Sequence, residues 1–200
     1  YTCYPFGVNL KLADMRDFAP AMHTWTVRTE VLQNNPIHIT EHCFYTDVEF
    51  VLKSCNYCNT VAFFELPIYY YRLARSGQSM SVQGVRKHYQ DHLKMVTSML
   101  QYERDCLTDS AKEEIFFIRL LGACNMQYFF FFALDCNRKQ KKQLMAFDTL
   151  LKTQYPKYYE NLKGNQIRLL RATHFMGYWL IGHLKTRKDK RMKQNVFEGA

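Results

Sequence analysis

The sequence lacks several features that would assign it at once. It has no internal repeat and no low-complexity linker, so repeat architectures and disordered tethers are excluded. The phosphate-cradling pattern G-x-x-x-x-G-K-[ST] is absent, which removes the P-loop enzymes. No helix-turn-helix, zinc-finger spacing or RNA-recognition signature occurs, so nucleic acid is not an expected partner. The amino end lacks a basic segment followed by an apolar one, the pattern of a secretory leader. Acids are in the minority: 18 Asp and Glu against 27 Lys and Arg, a formal charge of +9. An excess of that sign favours anionic partners such as phosphates or a membrane surface.

Cysteine usage offers no disulfide framework. Seven cysteines, an odd number, are scattered through apolar contexts, and reduced thiols in a cytoplasmic compartment are the expectation. Cys55 and Cys58 form C-x-x-C, with His42 and Cys43 shortly before. Adjacent ligands would strain a tetrahedral zinc site, so no metal is assigned. His88 and His92 lie at i, i+4 but lack the intervening glutamate of a zinc protease, and no acid partner is assigned to either.

What is present is a globular composition: 48% hydrophobic and 16% aromatic residues over 200 positions, enough to bury a sizeable core. IFFIRLLGACNMQYFFFFAL, residues 115–134, has the length of a membrane span. Arg119, Asn125 and Gln127 interrupt it, and a buried or interfacial helix is expected. Its FFFF run, residues 129–132, is expected to pack in the core. The end of the sequence carries KTRKDKRMKQ, a basic run that could meet acidic headgroups.

The chain divides by periodicity. MHTWTVRTEVLQNN predicts a strand end passing into a short helix, IHIT a strand, Thr46–Lys53 a helix, TVAFFELP a buried strand and PIYYYRL a second strand. From Gly84 the spacing becomes helical, with Val85, Tyr89, Leu93, Val96, Met99 and Leu100 on one face. Further helices are expected near 110–135, 137–153 and 164–193. The fold class is therefore a partial α/β sheet in residues 1–82, followed by a mostly α-helical region in 83–200. Two or three strands cannot cover both faces and protect both edges, so the sheet is expected to continue into something else.

Two stretches carry candidate chemistry. In FYTDVEF, T-x-x-E reads as a capping box with Thr46 at the N-cap and Glu49 at N3. Asp47 then lies in the first turn, where a negative charge gains about 0.3–1 kcal/mol from the helix dipole. A carboxylate held there could accept a proton from an attacking hydroxyl. In YYYRLARSGQSMS, Arg72 and Arg75 bracket a turn with Ser76, Gly77, Gln78 and Ser79. Forked guanidinium donors, hydroxyls and a glycine that permits converging amides suit phosphate oxygens.

The order and spacing of these stretches, HTWTVRTEVLQNNPIHITEHCFYTDVEFVLK followed by TVAFFELPIYYYRLARSGQSMSVQGVRKHYQDHLK, resemble the second half of bacterial family 2 glycosyltransferases. These are GT-A enzymes that build capsule, exopolysaccharide and other surface glycans. The similarity covers about residues 20 to 95. The resemblance implies inverting transfer from a nucleotide-sugar to a glycan or lipid-linked acceptor, with Asp47 as general base. It also implies diphosphate contacts from Arg72, Arg75, Gln78 and Ser79. The family's acidic Glu-Asp pair is here Thr46-Asp47. No nucleotide-binding half and no Asp-x-Asp metal motif is found. Magnesium or manganese is therefore expected only with that missing half, and the chain alone is expected to be inactive. A cytoplasmic location, peripheral at the inner membrane face, fits the basic tail. The competing expectation is a non-catalytic helical interaction domain carrying a vestigial transferase remnant.

Overall fold

The computed structural model describes residues 4–70 and 82–180. Most of the described residues are helical. Helix α1 spans Thr29–Gln33, α2 Asp47–Tyr57, α3 Val82–Cys106, α4 Glu113–Ala133, α5 Arg138–Gln154, α6 Pro156–Asn161 and α7 Asn165–Ala172. Strands β1 (Leu10–Lys11) and β2 (Thr60–Val61) form an antiparallel pair that matches Leu10 with Val61 and Lys11 with Thr60. One isolated bridge joins Phe6 to Phe63.

Helices α3 and α4 form an antiparallel hairpin. Rising residue numbers in α3 meet falling numbers in α4: Tyr89 with Phe131, His92 with Gln127, Tyr102 with Phe116. Phe130, Phe131 and Phe132 are buried while Phe129 is exposed, so the FFFF run is chiefly core packing. By length and composition α4, extended back to Ser110, is also the one helix among the described residues that could cross a membrane.

Helix α5 starts on a capping box that the sequence reading missed. The Asn137 side chain accepts from the Gln140 amide at 2.9 Å, and Gln140 Oε1 accepts from the Asn137 amide at 3.1 Å. Pro156 opens α6 at a position where its missing N–H costs nothing. The helix expected over 164–193 breaks within the described residues. After Ala172 the chain turns through His174 and Phe175, both at positive φ (48° and 60°). The Phe175 amide reaches back to the Leu170 carbonyl at 2.7 Å, the long reverse bond of a helix end.

The strand expected at IHIT does not form, that at TVAFFELP forms only as Thr60–Val61 with a bridge at Phe63, and PIYYYRL is not a strand over its described residues 67–70. In IHIT the polar backbone is engaged by side chains of α2: Lys53 Nζ donates to the His38 carbonyl at 2.8 Å, and Glu49 accepts from the Thr40 amide at 3.0 Å. Between Phe64 and Tyr70 the chain has no ladder partner among the described residues, and Phe64, Leu66, Ile68 and Tyr70 are exposed. Tyr71 to Leu73, the end of that expected strand, lie outside the described residues.

One hydrophobic core runs across residue 82. Leu12, Met15 and Phe18 from the N-terminal segment join Val51, Leu52 and Cys55 of α2, Met95 and Met99 of α3, and Phe116 and Phe131 of α4. Asn56, 1% exposed, ties the two parts together. Its side-chain amide donates to Tyr102 Oη and to the Cys106 carbonyl at 3.0 and 2.9 Å. Its Oδ1 accepts from the Thr108 amide and hydroxyl, and its own carbonyl accepts from the buried Lys112 ammonium at 2.8 Å. Each of these groups would be costly to bury without a partner.

Candidate functional site

Asp47 begins α2, as the sequence predicts, but the capping box does not form. Thr46 has α-helical φ/ψ (−73°, −4°), and its side chain makes no capping bond. An N-cap hydroxyl reaches the N3 amide from an extended backbone, which Thr46 does not adopt. The entry turn is instead set by Tyr45, at φ 69°, a conformation uncommon for a bulky residue.

Glu49 has a different task from the one expected. It is fully buried and accepts from Thr40 Oγ1 at 2.8 Å, from the Thr40 amide at 3.0 Å and from Lys53 at 3.1 Å. It clamps the 38–40 segment onto α2. Asp47, two positions earlier, is partly exposed and has no hydrogen-bond or ion-pair partner among the described residues. Of the two acids, Asp47 alone is available for chemistry.

Tyr45, two residues before Asp47, packs against α3 and α4. The Tyr45 ring meets His92 edge-on, at a centroid distance of 5.0 Å and 85°, and both rings contact Phe130. Burial pushes the Tyr45 phenol up to about 12, helped by the charges of Asp91 and Asp47. It therefore stays protonated at neutral pH. Burial holds His92 below its ordinary value, against the pull of its bond to Gln127 and of the Asp47 carboxylate, so the ring is neutral. One turn earlier in α3, His88 stacks on Phe44 with ring centroids 3.6 Å apart, and its Nδ1 lies 3.0 Å from Asp91 Oδ2. His88 thus does have an acid partner, three residues on, a spacing that could have been read as a helical pair. The partner of His92 is Gln127, 35 positions away, which no local pattern indicates. Gln127 Nε2 is buried without a hydrogen-bond partner among the described residues.

Arg72, Arg75, Gln78 and Ser79 lie outside the described residues. The nearest described point on their C-terminal side is the start of α3 at Val82. His88, stacked on Phe44, is six residues further, about 9 Å along a helix at 1.5 Å per residue. No cluster of three or more His, Cys, Asp or Glu able to hold a metal ion occurs among the described residues. Cys55 is buried in the core, and Cys43 points its thiol at the Asp91 carbonyl at 3.5 Å.

Two open grooves lie elsewhere, side by side. One is lined by Asp14, Arg16, Glu114 and Phe117, the other by Glu103, Arg104 and Tyr155, and both by Glu113 and Lys157. Their charges are mixed and largely paired, as in Arg16–Glu114 at 2.6 Å, and they do not include Asp47. No family model, no curated protein and no solved structure matches this chain.

Proposed function

We propose that the chain is the acceptor-side segment and helical tail of an inverting glycosyltransferase of the family 2, GT-A type. It would act on a nucleotide-sugar and a glycan or lipid-linked acceptor in surface polysaccharide synthesis. Asp47 is the general base. It takes the proton of the acceptor hydroxyl as that oxygen attacks the anomeric carbon and the nucleoside diphosphate departs. Arg72, Arg75, Gln78 and Ser79 are the diphosphate contacts in this reading. Any divalent metal belongs with a nucleotide-binding half, and no residue of this chain is assigned to it.

The observation that carries the proposal is the contrast between Asp47 and Glu49. At a helix start where both acids were candidates for structural roles, Glu49 is consumed by Thr40 and Lys53. Asp47 is left partly exposed, its charge acting on the Tyr45 phenol and the His92 imidazole. Such a carboxylate can accept a proton without first breaking an ion pair.

The test is sugar transfer by a version of the protein that carries a nucleotide-binding half. Asp47→Asn should lower transfer by about 10²–10⁴-fold, while calorimetry shows donor binding unchanged. Equal transfer by the variant overturns the assignment. The 200-residue chain alone should bind no nucleotide-sugar.

A second reading, a non-catalytic helical interaction domain with a transferase remnant, is favoured by the exposed apolar side chains of Phe64, Leu66, Ile68 and Tyr70. A complete version that neither binds nor hydrolyses nucleotide-sugars, yet sediments with a protein partner, would select it.

A further inference from the structure

The last described turns follow a three-residue rhythm. Met176 N bonds to the Thr173 carbonyl at 2.9 Å, Tyr178 N to Phe175 at 3.3 Å and Leu180 N to Gly177 at 3.1 Å. Residues 173–177 form the turn and a helical stretch begins at residue 178. Phe175 and Tyr178 point inward, at 9% and 0% exposure, while Met176 and Trp179 stand outward at 70% and 61%. Leu180, 47% exposed, flanks them.

Tyr178 fixes where this outward face lies. Its hydroxyl donates to the Phe131 carbonyl at 2.8 Å, in the last turn of α4. Burial first, and then the neighbouring Cys136 and Asp135, push its phenol up. The apolar face therefore adjoins the α4–α5 junction, where α5 opens with Arg138, Lys139, Lys141 and Lys142 and no acid in its first turn. Asp135, the acid at the junction, is paired with Arg86 at 2.9 Å.

Charge at the start of α5 and apolar exposure at the last described turn both run against folding stability. The amino end of a helix already carries positive partial charge, so four cations there work against α5. Water around Met176 and Trp179 works against burial. An anionic lipid surface satisfies both: headgroups neutralise the cations, and an amphipathic indole settles at the level of the headgroups. The sequence supplies more of the same charge, six Lys or Arg against one Asp in KTRKDKRMKQ, residues 185–194. A second copy of the chain would bring like charge to the same face and be repelled. Aliphatic Met176 and Leu180 offer nothing to a nucleic-acid backbone.

We propose that Met176, Trp179 and Leu180, with the basic opening of α5, form a docking face for an anionic lipid bilayer. The inference is independent of the transferase reading. The 200-residue chain is mixed with vesicles of phosphatidylcholine alone, or with about 30% phosphatidylserine, and sedimented. It should partition to the anionic vesicles at least about tenfold more strongly, and lose most of that advantage at about 0.5 M salt. Lys139→Glu with Lys142→Glu should weaken partition by about tenfold or more, at roughly fivefold per lysine removed. Met176→Ser with Trp179→Ala should weaken it severalfold, and brominated lipid should quench the wild type but not Trp179→Phe. All these positions are exposed, and circular dichroism checks that each variant is folded. Equal partition to both vesicles, or anionic binding that both double variants leave unchanged, overturns the proposal. So does tighter binding to duplex DNA than to the anionic vesicles, or a dimer in solution that Trp179→Ala converts to monomer.

Discussion

The Nδ1 atom of His92 lies 2.7 Å from Oε1 of Gln127, with both side chains buried between α3 and α4. An amide oxygen accepts, so Nδ1 carries the hydrogen and the neutral ring satisfies that bond without a charge. This pair supports the floor against which Tyr45 is packed, and so the turn that delivers Asp47.

A pH dependence follows. Burial lowers the folded-state pKa of His92 below its ordinary 6.5. Above about pH 6.5 the residue is neutral folded and unfolded, and its contribution is fully present. As pH falls below that value the unfolded chain takes up a proton that the folded chain resists, and stability is lost until the folded pKa is passed. Urea unfolding at pH 7.5 and pH 5.5, in about those conditions, should show a smaller loss on acidification for His92→Gln than for the wild type. An identical loss in the two proteins would mean that other groups carry the acid sensitivity.

The buried pair of Glu49 and Lys53 should behave asymmetrically. Glu49 is fully buried and Lys53 is 9% exposed. Glu49→Ala leaves the Lys53 ammonium with the His38 carbonyl and the Tyr102 ring but no counter-charge, and strands the Thr40 amide, at a cost of about 3–5 kcal/mol. Replacing both charges, by Glu49→Leu with Lys53→Met, should recover much of that loss, because two desolvated ions are removed together. Denaturant midpoints of the two variants measure the difference.

Much of the helical framework was legible. Val85, Tyr89, Val96 and Met99 announced α3, and α4 and α5 fell within a few residues of their expected bounds, because a 3.6-residue rhythm is a local signal. The start of α2 at Asp47 was legible for the same reason. What the sequence hid was non-local. Thr46 and Glu49 have the letters of a capping box, but Glu49 is drawn off by Thr40 and Lys53, and the backbone at Tyr45 opens the helix differently. IHIT has the letters of a strand, yet its polar groups are taken by α2. Gln127 as the partner of His92 needed the α3–α4 hairpin to be closed before it could be seen. The break after α7 sits on His174 and Phe175, neither of them glycine, so nothing in the letters marked a left-handed turn.

Arg171 gathers the tail onto the bundle. Its Nε donates to Asp148 Oδ1 at 2.8 Å, its Nη2 to Tyr128 Oη at 3.2 Å and its Nη1 to the Tyr159 carbonyl at 3.0 Å, while the guanidinium lies 3.6 Å from the Tyr159 ring centroid. Tyr128 also donates to Asp148. Arg171→Lys keeps the charge but loses the fork and the stacking, so it should still cost about 1–3 kcal/mol. Asp148→Ala should cost as much or more, by leaving Tyr128 and Arg171 without their shared acceptor. Thermal unfolding of both variants tests this, and a Lys variant as stable as the wild type would show that charge alone suffices.

The sharpest prediction separates chemistry from folding at α2. Asp47 has no partner among the described residues, so its structural contribution is confined to the helix dipole, about 0.3–1 kcal/mol. Asp47→Asn should therefore move the denaturation midpoint of the 200-residue chain only slightly, whereas Glu49→Gln, which weakens a buried ion pair and hydrogen bonds, should move it clearly. In a version able to transfer sugar the order reverses: Asp47→Asn should lower turnover by about 10²–10⁴-fold in a protein nearly as stable as its parent. Glu49→Gln retains turnover wherever the protein stays folded. Assays of stability and transfer on the same two variants decide between a base and a structural acid. A large stability loss on Asp47→Asn would assign the residue to the fold.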